Sequence, residues 1–405
     1  MAMNPPAQPW PFLNGVYIAV DAIEGAYLIV DGPYCTFTKA EIQYCHNLRC
    51  RLLPQLGHRR IVHTGRGPAR EEVQSLSTDR TARVAGIFAR ICSRPDAQVV
   101  LATSFDFNEL QGFPLREIAR RQAQSSRVPV CHVPSRSLGG DWLDGYALAC
   151  EALARGIPLE SGQRERDSVA VVGYLQDRDE PDHVGNRREL RRLLAALGLR
   201  TVSIWLSGGG RRELEAAARA SLIVSLPYAR KAARILSRRL HIRLCETELP
   251  LGLVATERFL LEIARSVGRA AQAKRVIARE GAAAIRDTQS HVLRFITGRE
   301  AEVKQEDAQL QARLSELCGE LGMRVVEPGT ERQDRCRVYL THTGYDFRAD
   351  AAHVPIGYPN YVEHPVREMP YLGYAGIRCL VDRIGTALLR AEAGSGRRQN
   401  AAAEK

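Results

Sequence analysis

Residues 25–50 read GAYLIVDGPYCTFTKAEIQYCHNLRC, a stretch that joins an apolar run to a group of cysteines. The run from Ala26 to Val30 has the composition of a buried β-strand. It ends in Asp31-Gly32-Pro33, a turn sequence that leads to Cys35 two residues later. We therefore expect a strand whose end delivers Cys35 to a tight turn.

The three cysteines of this stretch, Cys35, Cys45 and Cys50, are candidate metal ligands. Thiolates on a rigid scaffold suit soft metals and iron–sulfur clusters. Their spacings, C-x9-C and C-x4-C, match neither a ferredoxin pattern nor a zinc pattern, because the chain contains no C-x2-C pair. The alternative interpretation is that they are free thiols packed as small apolar side chains. If Cys45 and Cys50 lie on one helix, their separation places them on different faces, which counts against a shared cluster.

The composition of the 405-residue chain is that of a globular protein, with 45% hydrophobic and 25% charged residues. Its length favours two or three domains over one. No apolar run approaches the roughly 18 residues of a membrane helix, and the first residues show no export signal. We therefore expect a soluble, cytoplasmic protein in which the 10 cysteines are reduced thiols and not a disulfide framework.

The net charge of +11 and the pI of about 9.3 permit an acidic partner. The excess comes from arginines scattered over predicted helices, and only 6% of the residues are aromatic and able to stack on bases. This distribution favours solvated helix faces over a nucleic-acid site. The alternative is that the arginine runs form a docking surface for an acidic protein.

The remaining chain alternates apolar strands with amphipathic helices, an order typical of parallel sheets covered on both faces. One long helix is predicted over residues 71–92, and the apolar run Val292 to Ile296 is predicted to be a strand. The predicted fold is α/β, with three tandem doubly wound (Rossmann-like) parallel-sheet domains around a central cleft. The predicted domains are 1–160 with the cysteine-bearing turn, 168–288, and 289–393, followed by a flexible tail at 394–405.

Glycines at two predicted loops are candidates for cofactor binding. Ser207-Gly208-Gly209-Gly210 follows a predicted strand, and glycine amides can hold anions. Neither a phosphate-loop motif nor a dinucleotide-binding motif is present, so a loop lining a cleft is favoured over a nucleotide site. The candidate cofactor-binding glycines are Gly32, Gly208 and Gly209.

These motifs, in this order, resemble component 1 of the nitrogenase superfamily over residues 12–390. GAYLIVDGPYC resembles the family's strand and Gly-Pro turn before a cluster cysteine, and VVLATSFDFNELQGFPLREIA resembles its second-strand segment. GYAG at residues 373–376 resembles the end of the β-type subunits. The family includes subunits of the molybdenum–iron protein, their cofactor-assembly homologues, protochlorophyllide and chlorophyllide reductases, and the nickel-tetrapyrrole reductive cyclase.

The turn departs from the family pattern. Asp31 stands where most members have histidine, and Cys35 lies one residue closer to Pro33 than usual. Residues 12–15, Phe-Leu-Asn-Gly, occupy the place of the first cluster cysteine. The resemblance therefore leaves the ligand set incomplete.

The third cluster cysteine of the family is also missing. Ser104 or Asp106 stands in its place, and because one family member uses an aspartate ligand, the resemblance makes Asp106 a fourth candidate metal ligand. Cys45 and Cys50 are candidates to compensate for the lost thiols. Two alternatives stay open: a paralogous partner supplies the other ligands, or this subunit has lost its cluster.

The resemblance implies a reductase subunit with an iron–sulfur cluster, of the [4Fe-4S] type, at a subunit interface. Such a subunit takes electrons from an ATP-dependent iron protein and passes them to a small-molecule substrate, for example a tetrapyrrole, in the cleft. The implied partners are a paralogous component 1 subunit or a second copy of the chain. Nothing in the sequence resembles the ligands of the large iron–molybdenum cofactor, so dinitrogen reduction is not expected.

Proton donors must accompany the electrons, and histidine is the residue type suited to that role near neutral pH. His353 and His364, which flank the family-like terminal motif, are the catalytic candidates. Two other functions are weighed: a non-catalytic scaffold or partner subunit in cofactor assembly, and a periplasmic-binding-like or sugar-nucleotide-binding protein. The missing nucleotide loop and export signal argue against the last.

Overall fold

The computed structural model describes residues 10–33, 60–65, 79–136, 138–159, 163–330, 337–342, 351–360 and 363–403. Within them the strands form three sheets of four strands each, with helices packed beside every sheet. The predicted α/β class with three parallel sheets is confirmed.

The first sheet and its helices are built from residues 12–156. The elements are α1 (Phe12–Asp21), β1 (Ala26–Pro33), β2 (Ile61–Gly65), α2 (Thr81–Cys92), β3 (Val99–Ser104), α3 (Asp106–Leu110), α4 (Leu115–Ser125), β4 (Val130–His132) and α5 (Trp142–Gly156). The strand order is β2-β1-β3-β4, and all three neighbouring pairs are parallel. The first part of the helix predicted over residues 71–92 lies outside the described residues.

The core of this sheet follows from the apolar runs of its strands and the apolar stripe of α2. Val84 and Phe88 of α2 pack on Tyr27 and Ile29 of β1, and all of these residues are buried. On α1, residues 12–20 are buried without exception, and this helix packs against both α5 and β1. Capping fixes the start of α5, where Asp141 and Asp144 exchange side-chain and backbone hydrogen bonds.

The second sheet repeats the strand order of the first. Its elements are β5 (Ser168–Val172), α6 (Pro181–Ala196), β6 (Arg200–Ile204), α7 (Arg211–Ala216), β7 (Leu222–Ser225), α8 (Arg230–Leu240) and β8 (Arg243–Glu246), with 3-10 turns at Ala217–Arg219 and Pro227–Ala229. The order is β6-β5-β7-β8. The central strands β5 and β7 are buried throughout, as expected for a sheet covered on both faces.

The third sheet follows a helical segment. The elements are α9 (Leu253–Ser266), α10 (Ala270–Val276), a π-helix (Ile277–Gly281), α11 (Ala282–His291), a second π-helix (Val292–Ile296), β9 (Glu300–Lys304), α12 (Ala308–Glu320), β10 (Arg324–Val326), β11 (Val338–Thr341), β12 (Ala352–Pro355) and α13 (Gly373–Ala403). The order is again that of the first sheet, β10-β9-β11-β12, with parallel pairs.

One predicted strand is wrong. Val292 to Ile296 forms the second π-helix, and the first strand of the third sheet is Glu300–Lys304. A five-residue apolar run fits a helix as well as a strand. The sequence did not indicate this strand, because it contains two acids, Glu300 and Glu302, and acids are usually exposed. In the structure both acids are buried, and Arg337 neutralises them at 2.9 Å and 3.3 Å.

Each sheet changes direction at the same place. In each sheet the second strand lies on one side of the first strand, and the third strand lies on its other side. The topological switch point, where the order reverses, is therefore between the first and third strands. In open α/β sheets, ligands bind at the carboxyl ends of the strands beside this point. In the first sheet, this position is the end of β1. Asp31-Gly32-Pro33, predicted to form a turn, are instead the last three residues of this strand, and the cysteines that follow lie outside the described residues.

By the density of their contacts, the residues group into two compact units. Unit 1 is Met1–Asp179 with Thr201–Glu246, and unit 2 is Glu180–Arg200 with Thr247–Lys405. The first two sheets thus share unit 1, and the third belongs to unit 2. The domain boundaries given from the sequence stay predictions.

The last helix, α13, continues through residues 394–403, which were predicted to be part of a flexible tail. The flexibility of that tail stays a prediction. No described helix is both long and apolar enough to cross a membrane.

Candidate functional site

A buried carboxylate lies at the switch point of the first sheet. Asp31, near the end of β1, is 0% exposed, and the Arg80 guanidinium binds both of its oxygens at 2.8 Å and 3.2 Å. The Thr64 hydroxyl donates to the same carboxylate from the end of β2. Asn108 of α3 donates to the Asp31 carboxylate at 3.1 Å and to its main-chain carbonyl at 2.9 Å. Asp31 therefore ties together the ends of two strands, a helix and the residue before α2.

Arg80 is held from two sides. Its guanidinium carbon lies 4.3 Å from the centre of the Phe113 ring, a cation–π contact, while its nitrogens bind Asp31. Arg80 is 7% exposed, so its charge and that of Asp31 neutralise each other away from water. A buried pair with this many hydrogen bonds fixes the position of the strand end.

Gly32 follows Asp31 and needs to be a glycine. A Cβ atom at this position would overlap the Phe105 ring. The Phe105 amide in turn donates to the Asp31 carbonyl at 3.1 Å, so the end of β1 lies close against the residue that follows β3. Cys35 comes two residues after Pro33, the last residue of β1.

The three cysteines predicted to bind metal, Cys35, Cys45 and Cys50, lie outside the described residues. Among the residues that the structure does describe, no group of three or more histidine, cysteine and acidic side chains is placed to hold a metal ion. Burial raises the pKa of both Cys131 and Cys318 to about 12, so these thiols stay protonated. The thiols that follow β1 have the chemistry that suits an iron–sulfur cluster, and their role as metal ligands stays a prediction.

Asp106, the predicted carboxylate ligand, is the first residue of α3. Its carboxylate accepts a hydrogen bond from the Ser135 hydroxyl and another from the Leu138 amide at 2.6 Å. The neighbouring Ser104 hydroxyl donates to Glu109 at 2.9 Å. Asp106 thus lies at the carboxyl edge of the first sheet with protein donors on both oxygens, and its role as a metal ligand stays a prediction.

In unit 2, His364 forms a pair with a buried acid. Its Nδ1 lies 2.8 Å from Glu180 Oε1, and Glu180 is 1% exposed. Glu180 precedes α6, so the start of that helix positions the imidazole. A carboxylate bonded to one ring nitrogen fixes the tautomer and orientation of a histidine.

The same helix holds the segment that begins α13. Asn186 accepts hydrogen bonds from the Tyr371 amide at 2.9 Å and the Leu372 amide at 3.1 Å, and Glu189 accepts one from the Ala375 amide at 3.2 Å. The family-like GYAG sequence is therefore fixed by polar side chains of α6. No local sequence pattern marks Glu180, Asn186 or Glu189 as site residues.

His353 lies in different surroundings, on the edge strand β12. Its ring stacks on Tyr339 with the ring centres 5.1 Å apart, and it lines a cavity of about 380 Å³ together with Asp382 and Arg383. His342, at the end of β11, is buried, and burial followed by the nearby Lys304 lowers its pKa to about 4. His342 is therefore neutral at physiological pH. The catalytic roles of His353 and His364 stay predictions.

The predicted cofactor-binding glycines Gly208 and Gly209 follow β6 in unit 1. The Gly208 amide donates to Ala22 at 2.8 Å, and the Gly209 carbonyl accepts from the Glu24 amide at 3.1 Å. Gly208 also has a φ of +94°, which favours glycine. These contacts join the loop to the α1–β1 turn, and cofactor binding by either glycine stays a prediction.

One signal for the Asp31 network was present in the sequence. An aspartate at the end of a fully apolar strand is buried only with a partner. The partner could not be identified, because Arg80, Thr64 and Asn108 are distant in sequence and the chain is rich in arginine.

Comparison with known proteins agrees with this architecture. The family "Nitrogenase component 1 type Oxidoreductase" matches residues 81–338. The solved structure described as "Nitrogenase Cp1 at pH 6.5" superposes with a TM-score of 0.74 at 15% identity, covering 96% of this chain and 95% of the other. A second, "Nitrogenase Cp1 at pH 5", gives a TM-score of 0.60 at 12% identity and covers 86% of this chain and 67% of the other. No curated protein matches the sequence.

The matched region, residues 81–338, spans more than half of the chain and includes strands of all three sheets. At 12% to 15% identity, the structural similarity establishes the fold and not the substrate. The chain belongs to the nitrogenase component 1 type oxidoreductase family.

Proposed function

We propose that this protein is a subunit of a nitrogenase-like reductase and that the turn after β1 binds an iron–sulfur cluster of the [4Fe-4S] type. Members of this family bind metal clusters, and they work with further subunits and an iron protein that supplies electrons. A cluster of this kind, when bound, supplies one-electron transfer at low potential. The proposed partners are a paralogous component 1 subunit or a second copy of the chain, and an ATP-dependent iron protein.

The observation that carries this proposal is the buried Asp31–Arg80 pair at the end of β1, just before the cysteine-bearing segment of the sequence. It fixes the end of β1 with hydrogen bonds from β2, α3 and the residue before α2. A rigid support of this kind is what a metal ligand needs in order to keep its position. Cys35 comes two residues after the end of β1, and Cys45 and Cys50 are the next thiols along the chain.

Asp31 and Arg80 also bear on the charge near the turn. The family's histidine is replaced by an acid, but Arg80 cancels that charge within 2.8 Å. The pair therefore adds no net charge beside a cluster of thiolates. Asp106 is a proposed further ligand, and it would have to exchange its hydrogen bond from Ser135 or from Leu138 for the metal.

The test is the iron and acid-labile sulfide content of protein purified without oxygen, alone and co-expressed with the products of adjacent genes. We expect about four irons per site and their loss in Cys35→Ala. Cys92→Ala is the matched control, since Cys92 is a half-buried thiol on α2 whose pKa burial raises. Protein without iron in every preparation would exclude the cluster.

The second part of the proposal assigns His364 as a proton donor that Glu180 positions. With Nδ1–H donating to Glu180, Nε2 is the acceptor nitrogen of the neutral ring, so it has to take up a proton before it can donate one to a substrate. Glu180→Gln removes the charge that selects this tautomer. Nitrogen chemical shifts of isotope-labelled histidine should then show a mainly Nδ1–H ring in the wild type and a mixture in Glu180→Gln. His353 is the control, because its ring stacks on Tyr339 and its shifts should not change.

The alternative is a non-catalytic scaffold or partner subunit of a nitrogenase-like complex. It is favoured by α1, because residues 12–20 form a wholly buried helix where the family has its first cluster cysteine. Iron that binds only after co-expression, and that survives Cys35→Ala, would support this alternative over the reductase.

A further inference from the structure

A cavity of about 700 Å³ opens beside β4, the edge strand of the first sheet. It is bordered by the segment before α4, by β4 and by the second half of α5. Apolar side chains from all three elements line it, namely Phe113, Leu115, Val130 and Leu148. A cavity of this size with an apolar wall is typical of a small-molecule site.

The sheet edge adds hydrogen-bonding groups to the cavity. The Val100 amide donates to the Pro129 carbonyl at 2.9 Å, so Pro129 and, two residues on, Cys131 face β3. Alternate residues of a strand face opposite sides, so the main-chain groups of Val130 and His132 point away from the sheet. Within the described part of the chain, these groups bond no other element.

The charged side chains that line the cavity differ in their bonding partners. Glu151 is paired with Arg155 at 3.2 Å, and Glu109 accepts hydrogen bonds from the Ser104 hydroxyl and the Ser135 amide. Arg116 lines the same cavity and forms neither an ion pair nor a hydrogen bond with any described residue. The donors to Glu109 are neutral, so the lining carries two acids and two arginines, and Arg116 is the arginine without an ion pair among the described residues.

His132 lies among these groups. Burial lowers the pKa of its imidazole, Glu109 raises it and Arg116 lowers it further. The charged groups that line the cavity around this ring are Glu109, Arg116, Glu151 and Arg155. The ring is half-buried and has no hydrogen-bond partner among the described residues, so it is available as a second contact for a ligand.

We propose that this cavity binds a small organic acid, whose carboxylate contacts Arg116 and His132. The apolar body of the acid packs against Phe113, Leu115 and Leu148. The proposal goes beyond the reductase function, because the cavity lies along the outer edge of β4 and not at the end of β1. It holds whether or not the chain binds a cluster.

The test uses hydrocinnamate, a carboxylate on an apolar body, and its uncharged amide as the matched probe. Each is titrated into the full-length protein with isotope-labelled histidine, and the His132 resonance is identified with His132→Gln. We expect saturable shifts of that resonance with the acid and at least about tenfold weaker binding of the amide. The acid should also raise the pKa of His132, because an anion offsets the influence of Arg116.

Two variants on the same helix complete the test. Arg116→Gln should weaken binding of the acid by about tenfold. Arg120→Gln should bind like the wild type, because Arg120 is already bonded to Glu117 at 2.8 Å. Equal binding of acid and amide, equal effects of the two variants, or no saturable shift of His132 would each overturn the proposal.

Discussion

Asp31 shows how one residue can set the geometry of the candidate site. It is an acid at the end of an apolar strand, and it is completely buried. Burying a charge without a partner is very costly, so the residue is tolerated only because Arg80, Thr64 and Asn108 supply four side-chain hydrogen bonds to its carboxylate. The end of β1 is thus held by side chains that meet only after folding.

Asp31→Asn should destabilise the protein strongly. The substitution leaves Arg80 buried without its counter-ion, which costs about 3 kcal/mol of the free energy of unfolding. Urea unfolding at neutral pH measures this loss. Glu117→Gln, which breaks a solvent-exposed pair with Arg120 and Arg121, should leave stability unchanged, and a similar loss in both variants would show that Asp31 has no special role.

At the scale of elements, two glycines allow α1 and α5 to pack at close range. A Cβ at Gly15 would overlap the Trp142 carbonyl oxygen, and a Cβ at Gly145 would overlap the Phe12 carbonyl oxygen. The obstacles are backbone atoms and not flexible side chains, so the helices would have to separate. This contact buries the side of α1 that faces α5.

Gly15→Ala and Gly145→Ala should each destabilise the protein by about 2 kcal/mol or more, because each forces the helix backbones apart. The control is Gly86→Ala on α2, where the nearest atom to a new Cβ is 3.7 Å away. That change should stabilise by about 0.5–1 kcal/mol through helix propensity. Thermal unfolding compares the three, and a stable Gly145→Ala protein would rule out the close contact.

The strand β9 depends on a charge network. Burial acts to raise the pKa of Glu300, but hydrogen bonds from Arg337 and Arg324 outweigh it and lower the pKa below its usual value. A carboxylate with a lowered folded pKa stabilises the protein above the unfolded pKa of about 4.3. That stabilisation disappears as the pH falls through the folded pKa.

Arg337→Met should therefore cost about 3 kcal/mol at neutral pH, where Glu300 is left charged and buried. The difference from the wild type should shrink as the pH is lowered from about 7 to about 3, because the acid becomes protonated in both proteins. Urea unfolding across this range measures it. Arg324→Met should cost less, since that side chain is 59% exposed, and a penalty for Arg337→Met that does not depend on pH would exclude the charge explanation.

At the scale of the whole molecule, the first two sheets form one unit although the sequence suggests a linker between them. The Tyr146 hydroxyl of α5 donates to the Tyr174 carbonyl at 2.7 Å, and Arg239 of α8 donates to the carbonyls of Ala154 and Ile157. These bonds join the helix that ends the first sheet to elements of the second.

Native-state hydrogen exchange should show that the first two sheets unfold together. The amides of β1 and β5 should open with free energies that agree within about 1 kcal/mol, since both belong to unit 1. Amides of β9, in unit 2, serve as the comparison. If β1 and β5 open with clearly different free energies, the two sheets are separate folding units, as the boundaries predicted from the sequence imply.

The sequence alone determined the fold class and the family. Apolar runs alternating with amphipathic helices are local patterns, so α/β order and most strands could be predicted from short windows of residues. The strand at Glu300 was missed, because its buried acids look like surface residues until Arg337 is placed beside them.

Only the tertiary structure decided which side chains meet. Asp31 and Arg80 are 49 residues apart, and Glu180 and His364 are 184 apart, so no local pattern connects them. The same holds for the cavity beside β4, which three segments build together. A sequence pattern indicates which face of a single helix or strand is apolar. A site depends on contacts between residues that are distant in sequence, and these contacts are determined by how the elements pack.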